Sequence, residues 1–206
     1  MPKKDCGTHG DEKQLRLCRN LFIAVIIFIF IILLIIFIIW LILHPSRPHI
    51  SLQSSSIYQL NLSTSSTLLT TTLQATISTY NPNDHIGIYY HNLHVYSTYK
   101  GQQITFPTAL PEEYQGHHEG LVWSPFLYGS NVPLGEFSGR SMEEDETAGL
   151  VLFYVKVDGK VRWRVGSWMS SYYHITAYCP AFFSIDKSNQ QPLFKFQHAT
   201  SCSVDV

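Results

Sequence analysis

An unbroken apolar run over residues 21–43 constrains this chain more than any other feature. The run reads LFIAVIIFIFIILLIIFIIWLIL and contains no charged residue, Gly or Pro. As a helix it would be roughly 34 Å long, enough to cross a bilayer core of about 30 Å. In lipid every backbone polar group must be satisfied within the segment, so we predict a transmembrane helix. A helix buried in a soluble core is typically shorter and has a polar face, which this run lacks.

The flanking charges predict the orientation of this helix. Five basic residues precede it, whereas only Arg47 follows it closely. A secretory signal peptide has an apolar region of only about 7–15 residues, so the longer run predicts an uncleaved signal anchor. The positive-inside rule then places residues 1–20 in the cytosol as a disordered tail. Residues 44–67 become an external stalk, whose end around 57–62 is expected to form a first edge strand, and residues 68–206 become an external domain.

The composition restricts the class of that external segment. The net charge of the chain is −1, so no nucleic-acid partner is indicated. All twelve tyrosines follow the apolar run, and aromatic residues favour β-structure over disorder. From residue 68 onward, apolar and polar residues alternate with the period of half-buried strands. We therefore expect one antiparallel β-sandwich over 68–206, whose first strand ends at the turn-forming residues 81–84.

A first hairpin is predicted around the Lys100-Gly101 dipeptide. The segments 93–99 and 102–106 flank it and have strand-like composition. A two-residue loop at this point sets Val95 opposite Phe106.

A second hairpin is predicted between 151–157 and 161–165, where valines alternate with polar residues. Facing residues must share a sheet face, which excludes a two-residue loop here. We therefore predict a three-residue connection with Gly159 at a left-handed bulge position.

The segment Arg162-Trp163-Arg164 allows two interpretations. In the first, the segment is part of a strand that points the tryptophan into the core and both arginines outward. In the second, all three side chains form a basic and aromatic platform for a ligand on the surface. Tyr89, Tyr90 and Tyr172 are expected to be exposed, where stacking on sugars and a protein interface both remain open.

The four cysteines divide between the two sides of the apolar run. Cys179 and Cys202 each fall in phase with an apolar face of the predicted last strands, 172–179 and 194–206. A disulfide between them would close a loop of about two dozen residues and stabilise the fold by about 3 kcal/mol; two free buried thiols are the alternative. Cys18, just before the run, is either palmitoylated or a reduced thiol.

Two further local signals lie in the external segment. Asn61-Leu62-Ser63 is an N-glycosylation sequon on the predicted external side. Residues 136–149 include four consecutive acidic residues and are predicted to form a polar loop or short helix, with cation binding as the alternative.

The chain shows no constellation of catalytic residues. It has no nucleotide fingerprint and no Gly-x-Ser-x-Gly motif around Ser167, and the adjacent His117 and His118 lack zinc-ligand spacing. We predict no cofactor, no metal and no enzymatic activity.

Ordered motifs along the outer segment resemble those of the plant NHL (NDR/HIN-like) family, which carries a late-embryogenesis-abundant (LEA) group 2 domain. The matching stretches are Asn81-Pro82-Asn83, Ile86-Gly87-Ile88-Tyr89-Tyr90, Tyr99-Lys100-Gly101-Gln102, Tyr114-Gln115-Gly116-His117, Val161-Arg162-Trp163-Arg164-Val165-Gly166, Cys179 and Cys202-Ser203-Val204-Asp205-Val206. The resemblance implies a non-catalytic, single-pass plasma-membrane protein of plant defence and stress. It also implies a sandwich of the immunoglobulin or fibronectin type III kind.

Three functional hypotheses remain open at this point. In the first, the outer domain is an interaction module for an unidentified protein or cell-wall partner. In the second, an apolar cavity between the sheets binds lipid or another hydrophobic ligand beside the membrane. In the third, the protein is a structural tether between plasma membrane and wall. The bilayer is a partner through residues 21–43 in each case. Plasmodesma and an internal membrane are the alternative locations.

Overall fold

The structure is a computed structural model that describes residues 9–42, 45–63, 67–186 and 193–206, in two compact units that divide after residue 44. The first unit contains helix α1 (His9–Ile42). Its segment Arg19–Ile38 is long and apolar enough to cross a membrane, and none of it is buried. The predicted apolar helix is therefore present, and its last predicted residue, Leu43, lies outside the described residues.

Helix α1 begins earlier than the sequence analysis expected. Residues 9–20, assigned to a disordered tail, are helical. The segment 12–19 reads EKQLRLCR, and most of these residues lose little side-chain freedom in a helix. They extend a helix that already exists, so they do not bear the cost of nucleation. The prediction of disorder is wrong for 9–20, while 1–8 lie outside the described residues.

The second unit consists of strands and one short helix. Its elements are β1 (His49–Leu62), β2 (Leu68–Tyr80), β3 (Gly87–Tyr99), β4 (Gln102–Gln103), β5 (Thr108–Ala109), β6 (Glu113–Gln115), β7 (Gly120–Trp123), β8 (Phe126–Pro133), α2 (Glu136–Ala148), β9 (Leu150–Val165), β10 (Trp168–Met169), β11 (Tyr173–Asp186), β12 (Leu193–Phe196), β13 (Thr200–Ser201) and β14 (Ser203–Asp205). The helix α2 confirms the short helix expected over 136–149.

The strands form two sheets with antiparallel pairing throughout. The small sheet has the order β13-β1-β2-β7, with β8 also paired to β2. The large sheet has the order β12-β11-β9-β3-β4, with β5, β6, β10 and β14 attached to its strands. Together with the apolar helix, this arrangement confirms the predicted fold class.

The core lies between the inward faces of the two sheets. On β2 the buried positions are 69, 71, 73, 75, 77 and 79, the face predicted from the alternation. Facing them are the odd-numbered residues of β9 and β11, among them Phe153, Trp163 and Phe183. The even-numbered residues of β9 consequently point away from the core.

The predicted stalk is largely a strand of the domain. Strand β1 pairs with β2 from His49 opposite Tyr80 to Leu62 opposite Leu69. The apolar residues Ile50 and Leu52 are buried in the core. The edge strand expected at the end of the stalk, around 57–62, is present but begins earlier, at His49. The stalk assigned to 44–67 is therefore wrong for 49–56, because its Ser-rich composition hid a strand that buries one face.

The first predicted hairpin has the expected turn but a different register. Lys100 and Gly101 both have positive φ, 45° and 83°, and Tyr99 lies opposite Gln102, as in a two-residue loop. Val95, however, lies opposite Thr108 and not Phe106. Between these two points the regular pairing is interrupted, and the Ser97 amide donates to the side-chain acceptor Thr105 Oγ1 (2.8 Å).

The second predicted hairpin does not exist. Residues 150–165 form one strand that pairs with β3 on one side and β11 on the other. Gly159 lies within it, where the neighbouring strand bulges: a Cβ on Gly159 would stand 2.8 Å from both Asn92 O and Leu93 Cα. The glycine therefore serves close backbone approach and not a turn.

The C-terminal segment differs from the single strand predicted over 194–206. It forms three short strands, of which β13 pairs with β1 in the small sheet while β12 and β14 pair with β11 in the large one. Strand β11 also continues past Cys179 to Asp186. Pro180 is tolerated because it falls between the stretches of β11 that pair with β14 and β12.

Candidate functional site

The outer face of β9 carries four basic side chains in a row, which we call the β9 basic row: Lys156, Lys160, Arg162 and Arg164. Because strand side chains alternate, these even-numbered residues lie on the face opposite the core. Neighbouring members two residues apart are separated by about 6.6 Å along the strand, and the whole row spans about 26 Å. The expectation that both arginines point outward while Trp163 is buried is confirmed.

Tyrosine rings hold three of these four cations. The Arg162 guanidinium lies 4.8 Å from the ring centroid of Tyr172, and Lys156 Nζ lies 4.7 Å from that of Tyr178. Both rings remain exposed. A cation over an aromatic face is attracted by the ring quadrupole, and stacking restricts the side chain before any ligand arrives.

Arg164 is held between two tyrosines. Its Nη1 donates to Tyr89 Oη (3.0 Å), and its guanidinium carbon lies 5.5 Å from the ring centroid of Tyr114. The two rings also contact one another, with centroids 4.5 Å apart. We call Tyr89, Tyr114, Tyr172 and Tyr178 the tyrosine set.

Gly87 positions this end of the site. It lies opposite Arg164 in the register between β3 and β9. A Cβ on Gly87 would stand 2.3–2.7 Å from atoms of the Tyr114 ring. The missing side chain thus allows the ring to lie flat on the sheet beside the guanidinium. A glycine within the pattern of β3 was the sequence signal for this close approach, and the sequence analysis did not use it.

The electrostatics of the row differ from those of the remaining domain. The other described cations of residues 45–206 are all paired with carboxylates: Arg47 with Asp205, Lys100 with Asp145, Arg140 with Glu136 and Lys195 with Asp186. Within the described residues, none of the four members of the β9 basic row has a carboxylate within 4.0 Å. Positive charge without an internal partner is therefore concentrated on one strand.

Two acidic residues lie near the row and contact histidines. Asp158, between Lys156 and Lys160 on the same face, is 3.2 Å from His174 Nε2. Glu112 is 3.2 Å from His91 Nδ1. Both carboxylates thus interact with histidines on neighbouring strands and leave the row without an anionic partner.

The Asn81-Pro82-Asn83 motif has a structural role. The buried Asn81 amide donates to the Ile86 and Gly116 carbonyls, at 2.7 and 2.9 Å. Asn83 exchanges two hydrogen bonds with the backbone of Ser46, just after the apolar helix in the chain. The motif therefore fixes the backbone at Ser46, where the chain enters the sandwich.

The Tyr99-Lys100-Gly101 motif attaches helix α2 to the sheet. Tyr99 Oη donates to Asp145 Oδ2 (2.7 Å), and Lys100 Nζ lies 3.6 Å from the same carboxylate oxygen. Asp145 belongs to the acidic stretch for which cation binding was the alternative. Its observed partners are side chains of the turn.

The expectation that Tyr90 is exposed is wrong, whereas Tyr172 is exposed as predicted. Tyr90 points inward because it has the same parity on β3 as the buried Ile88. Its hydroxyl donates to Gln115 Oε1 (2.8 Å) and contacts Thr79 Oγ1 (3.0 Å), and burial raises the pKa of its hydroxyl. Tyr89, of opposite parity, is half-buried and belongs to the site.

The predicted disulfide between Cys179 and Cys202 is present. Cys202 donates its backbone N–H to Ile50 O (2.9 Å) in the small sheet, whereas Cys179 lies in β11 of the large sheet. The bond therefore fastens the C-terminal segment where it passes between the sheets. Asn61 of the sequon is exposed near the end of β1, and the Cys18 side chain lies outside the described residues.

The space between the sheets is occupied by one continuous cluster of buried side chains. Open clefts instead lie along α2 and are lined by residues such as Arg140 and Glu144. This packing gives no support to a lipid site between the sheets. Among the described residues, no group of three or more His, Cys, Asp or Glu side chains is arranged to hold a metal ion.

Comparisons with known proteins identify the relatives of this chain. No family model matches it. A solved structure described as a protein from Archaeoglobus fulgidus covers 66% of this chain and 98% of its own, at 12% identity and a TM-score of 0.35, which is too low to carry an argument.

The informative relatives come from Arabidopsis thaliana. The chain is 44% identical to NDR1/HIN1-like protein 1, over 98% of this chain and 100% of the relative. It is 41% identical to NDR1/HIN1-like protein 12 over the full length of both, and 38% identical to NDR1/HIN1-like protein 26 over 98% and 96%. These names are not names of enzymes. At such identity over almost the entire chain, the protein belongs to the NDR1/HIN1-like family.

Proposed function

We propose that this chain is a single-pass plasma-membrane protein of plant defence and stress response whose external sandwich is a non-catalytic interaction or tethering module. Family membership supports the link to defence and stress, and the apolar helix supports membrane anchorage. The orientation follows from the positive-inside rule, which keeps the basic N-terminal segment in the cytosol.

The observation that carries the proposal is the outward-facing β9 basic row with its tyrosine set. Arginine and tyrosine are enriched at recognition surfaces, because both offer large contact areas together with hydrogen-bond donors. On this face they are ordered by mutual stacking, which reduces the entropy lost on binding. This surface is built on strands of a sandwich that contains a disulfide, as expected for a module that binds an external partner.

Two further features support an external domain. A disulfide persists in an oxidising compartment, and the sequon Asn61 is exposed. The packing between the sheets favours recognition on the surface over the capture of a lipid inside the fold.

Surface proximity labelling tests this proposal. The full chain, with a labelling enzyme at its C-terminus, is expressed in plant cells and supplied with a labelling reagent that does not cross membranes. The control carries residues 1–48 joined to the same enzyme, so that anchor and location are kept without the sandwich. We expect surface components enriched by the full chain over the control, and enrichment reduced in Arg162→Gln/Arg164→Gln. Identical labelled sets for chain and control would contradict an interaction module.

A further inference from the structure

We propose that the β9 basic row and the tyrosine set form a binding site for a linear polysaccharide that bears carboxylate groups. This inference rests on the proposed function, since it names the partner class of the external domain. Its foundation is the juxtaposition of four cations on β9 that lack carboxylate partners with four tyrosines from neighbouring segments.

The donors of the two arginines are available to a ligand. Arg162 uses its Nε to donate to Ser170 O (2.9 Å), and both of its Nη groups have no hydrogen-bond partner among the described residues. Arg164 donates through Nε to Gly166 O and through Nη1 to Tyr89 Oη, both at 3.0 Å, while Nη2 has no described partner. The free N–H groups of a guanidinium match the two oxygens of a carboxylate.

The shape of the row favours a polymer over a single small anion. The cations extend along about 26 Å of strand on the outward face of the sheet, which is too far for one small anion to contact all four of them. A linear chain with repeated carboxylates can contact several members at once, and three of the four members are already ordered by stacking. The basic row therefore fits an extended polyanion.

The position of β9 in the sheet disfavours a peptide. Peptides that bind to sheets usually add a strand at an exposed edge and use main-chain hydrogen bonds. Strand β9 lies between β3 and β11, so both of its edges are already paired. Recognition must use the side chains of the face, where exposed tyrosine rings suit the C–H faces of sugar rings and the cations suit carboxylates.

The external location disfavours an anionic membrane surface. Anionic lipids are concentrated in the cytoplasmic leaflet, whereas the proposed location of the sandwich is outside. A polyanion of the extracellular space is therefore the occupant to which the row is complementary.

Binding of polygalacturonate by the full chain tests this inference. The protein is reconstituted in nanodiscs of neutral phosphatidylcholine and measured by calorimetry. Fully methyl-esterified polygalacturonate is the matched ligand control, because it keeps the sugar backbone and removes the charge. We expect binding to the acid form that weakens as salt rises, and no binding to the ester.

Protein variants connect binding to the site. Arg162→Gln/Arg164→Gln should weaken binding at least about tenfold, because charge-assisted contacts are lost. Arg140→Gln/Lys195→Gln is the matched control, because it removes the same charge from cations that are paired with carboxylates. Its affinity for polygalacturonate should stay within about twofold of the wild-type value. Tyr172→Ala should weaken binding, whereas Tyr128→Ala, an exposed tyrosine of the small sheet, should not. Thermal unfolding of each variant verifies that it is folded.

Four outcomes would overturn the inference: no binding of polygalacturonate, equal binding of its methyl ester, an equal loss in both double variants, or tighter binding of poly-glutamate or phosphatidylserine vesicles than of polygalacturonate. Surface labelling that still depends on the sandwich would then leave the proposed function in place. Conversely, if the sandwich lies in the cytosol of intact cells but binds polygalacturonate in vitro, the proposed external function is contradicted and the binding site stands.

Discussion

The side chain of Asn83 holds the backbone of Ser46 through two hydrogen bonds, one in each direction. Ser46 N donates to Asn83 Oδ1 (2.8 Å), and Asn83 Nδ2 donates to Ser46 O (2.9 Å). These residues are 37 positions apart, and Ser46 follows the apolar helix by only a few residues. Asn83 Nδ2 also lies 2.8 Å from Asn81 Oδ1, so one buried network connects the domain entrance to the turn after β2.

Asn83→Ala should therefore destabilise the domain. The substitution removes both bonds to Ser46 and the bond to Asn81, each worth about 1 kcal/mol net. We expect a loss of about 2–3 kcal/mol in the free energy of unfolding, measured by urea denaturation of the full chain in detergent. Gln53→Ala, at an exposed position of β1, is the control and should change stability by less than about 0.5 kcal/mol. Equal effects of the two substitutions would contradict the role assigned to Asn83.

Gly159→Ala should be costly because the β3 bulge approaches its Cα. The new methyl group would meet Asn92 O and Leu93 Cα at 2.8 Å, and these backbone atoms cannot move away without disturbing the ladder. We expect a loss of about 1–3 kcal/mol. Gly120→Ala, whose Cβ would meet nothing closer than 3.6 Å, should be nearly neutral by the same urea measurement. A neutral Gly159→Ala would contradict the close backbone approach assigned to this glycine.

Removing the disulfide should lower stability without changing the fold. Cys179 and Cys202 are 23 residues apart, and in the chain-entropy model closing such a loop stabilises by about 3 kcal/mol. The double variant Cys179→Ala/Cys202→Ala should lose about that amount in urea denaturation. Reductant should destabilise the wild-type protein and leave the double variant unaffected; sensitivity of the variant would show that another thiol is responsible.

Buried tyrosines predict a loss of stability in alkali. Burial raises the pKa of the Tyr90 hydroxyl, and burial together with the hydrogen bond to Asp145 raises that of Tyr99. The unfolded chain ionises at the ordinary value of 10.0, so the stabilisation is complete below that pH and is lost as pH rises above it. Unfolding free energy should fall by up to about 1.4 kcal/mol per pH unit for each tyrosine.

The Tyr99→Phe variant provides the control for the alkaline effect. It keeps the ring and removes the ionisable group, so its stability should fall less steeply between pH 10 and 11 than that of the wild-type protein (about 1.4 kcal/mol per unit less at most). The same slope in both proteins would mean that Tyr99 does not contribute.

The sequence predicted the features that depend on local periodicity. Alternation identified the buried face of β2, and hydropathy identified the apolar helix. Phase with an apolar face also indicated a disulfide between Cys179 and Cys202, with two free thiols as the alternative, and the structure contains the disulfide. The turn at Lys100 and Gly101 followed from its short loop between alternating segments.

The errors arose where a distant strand decided the local structure. Asp158-Gly159 has turn composition, and a strand through it has the same side-chain parity as a hairpin with a three-residue loop. The bulge at Asn92, more than sixty positions earlier, decides between them. From the sequence, only the two outward arginines of the β9 basic row could be predicted. The complete row could not, because the tertiary fold determines which cations lack carboxylate partners.

Accessibility of the C-terminus tests the central claim of an external sandwich most directly. Intact protoplasts that express the chain with a C-terminal tag are treated with protease, and the tagged protein is compared before and after glycosidase and in Asn61→Gln. We predict loss of the tag in intact cells and a glycosidase-sensitive mobility that Asn61→Gln abolishes. A tag that is protected until the membrane is permeabilised, on a protein without glycan, would place the sandwich inside and contradict the account.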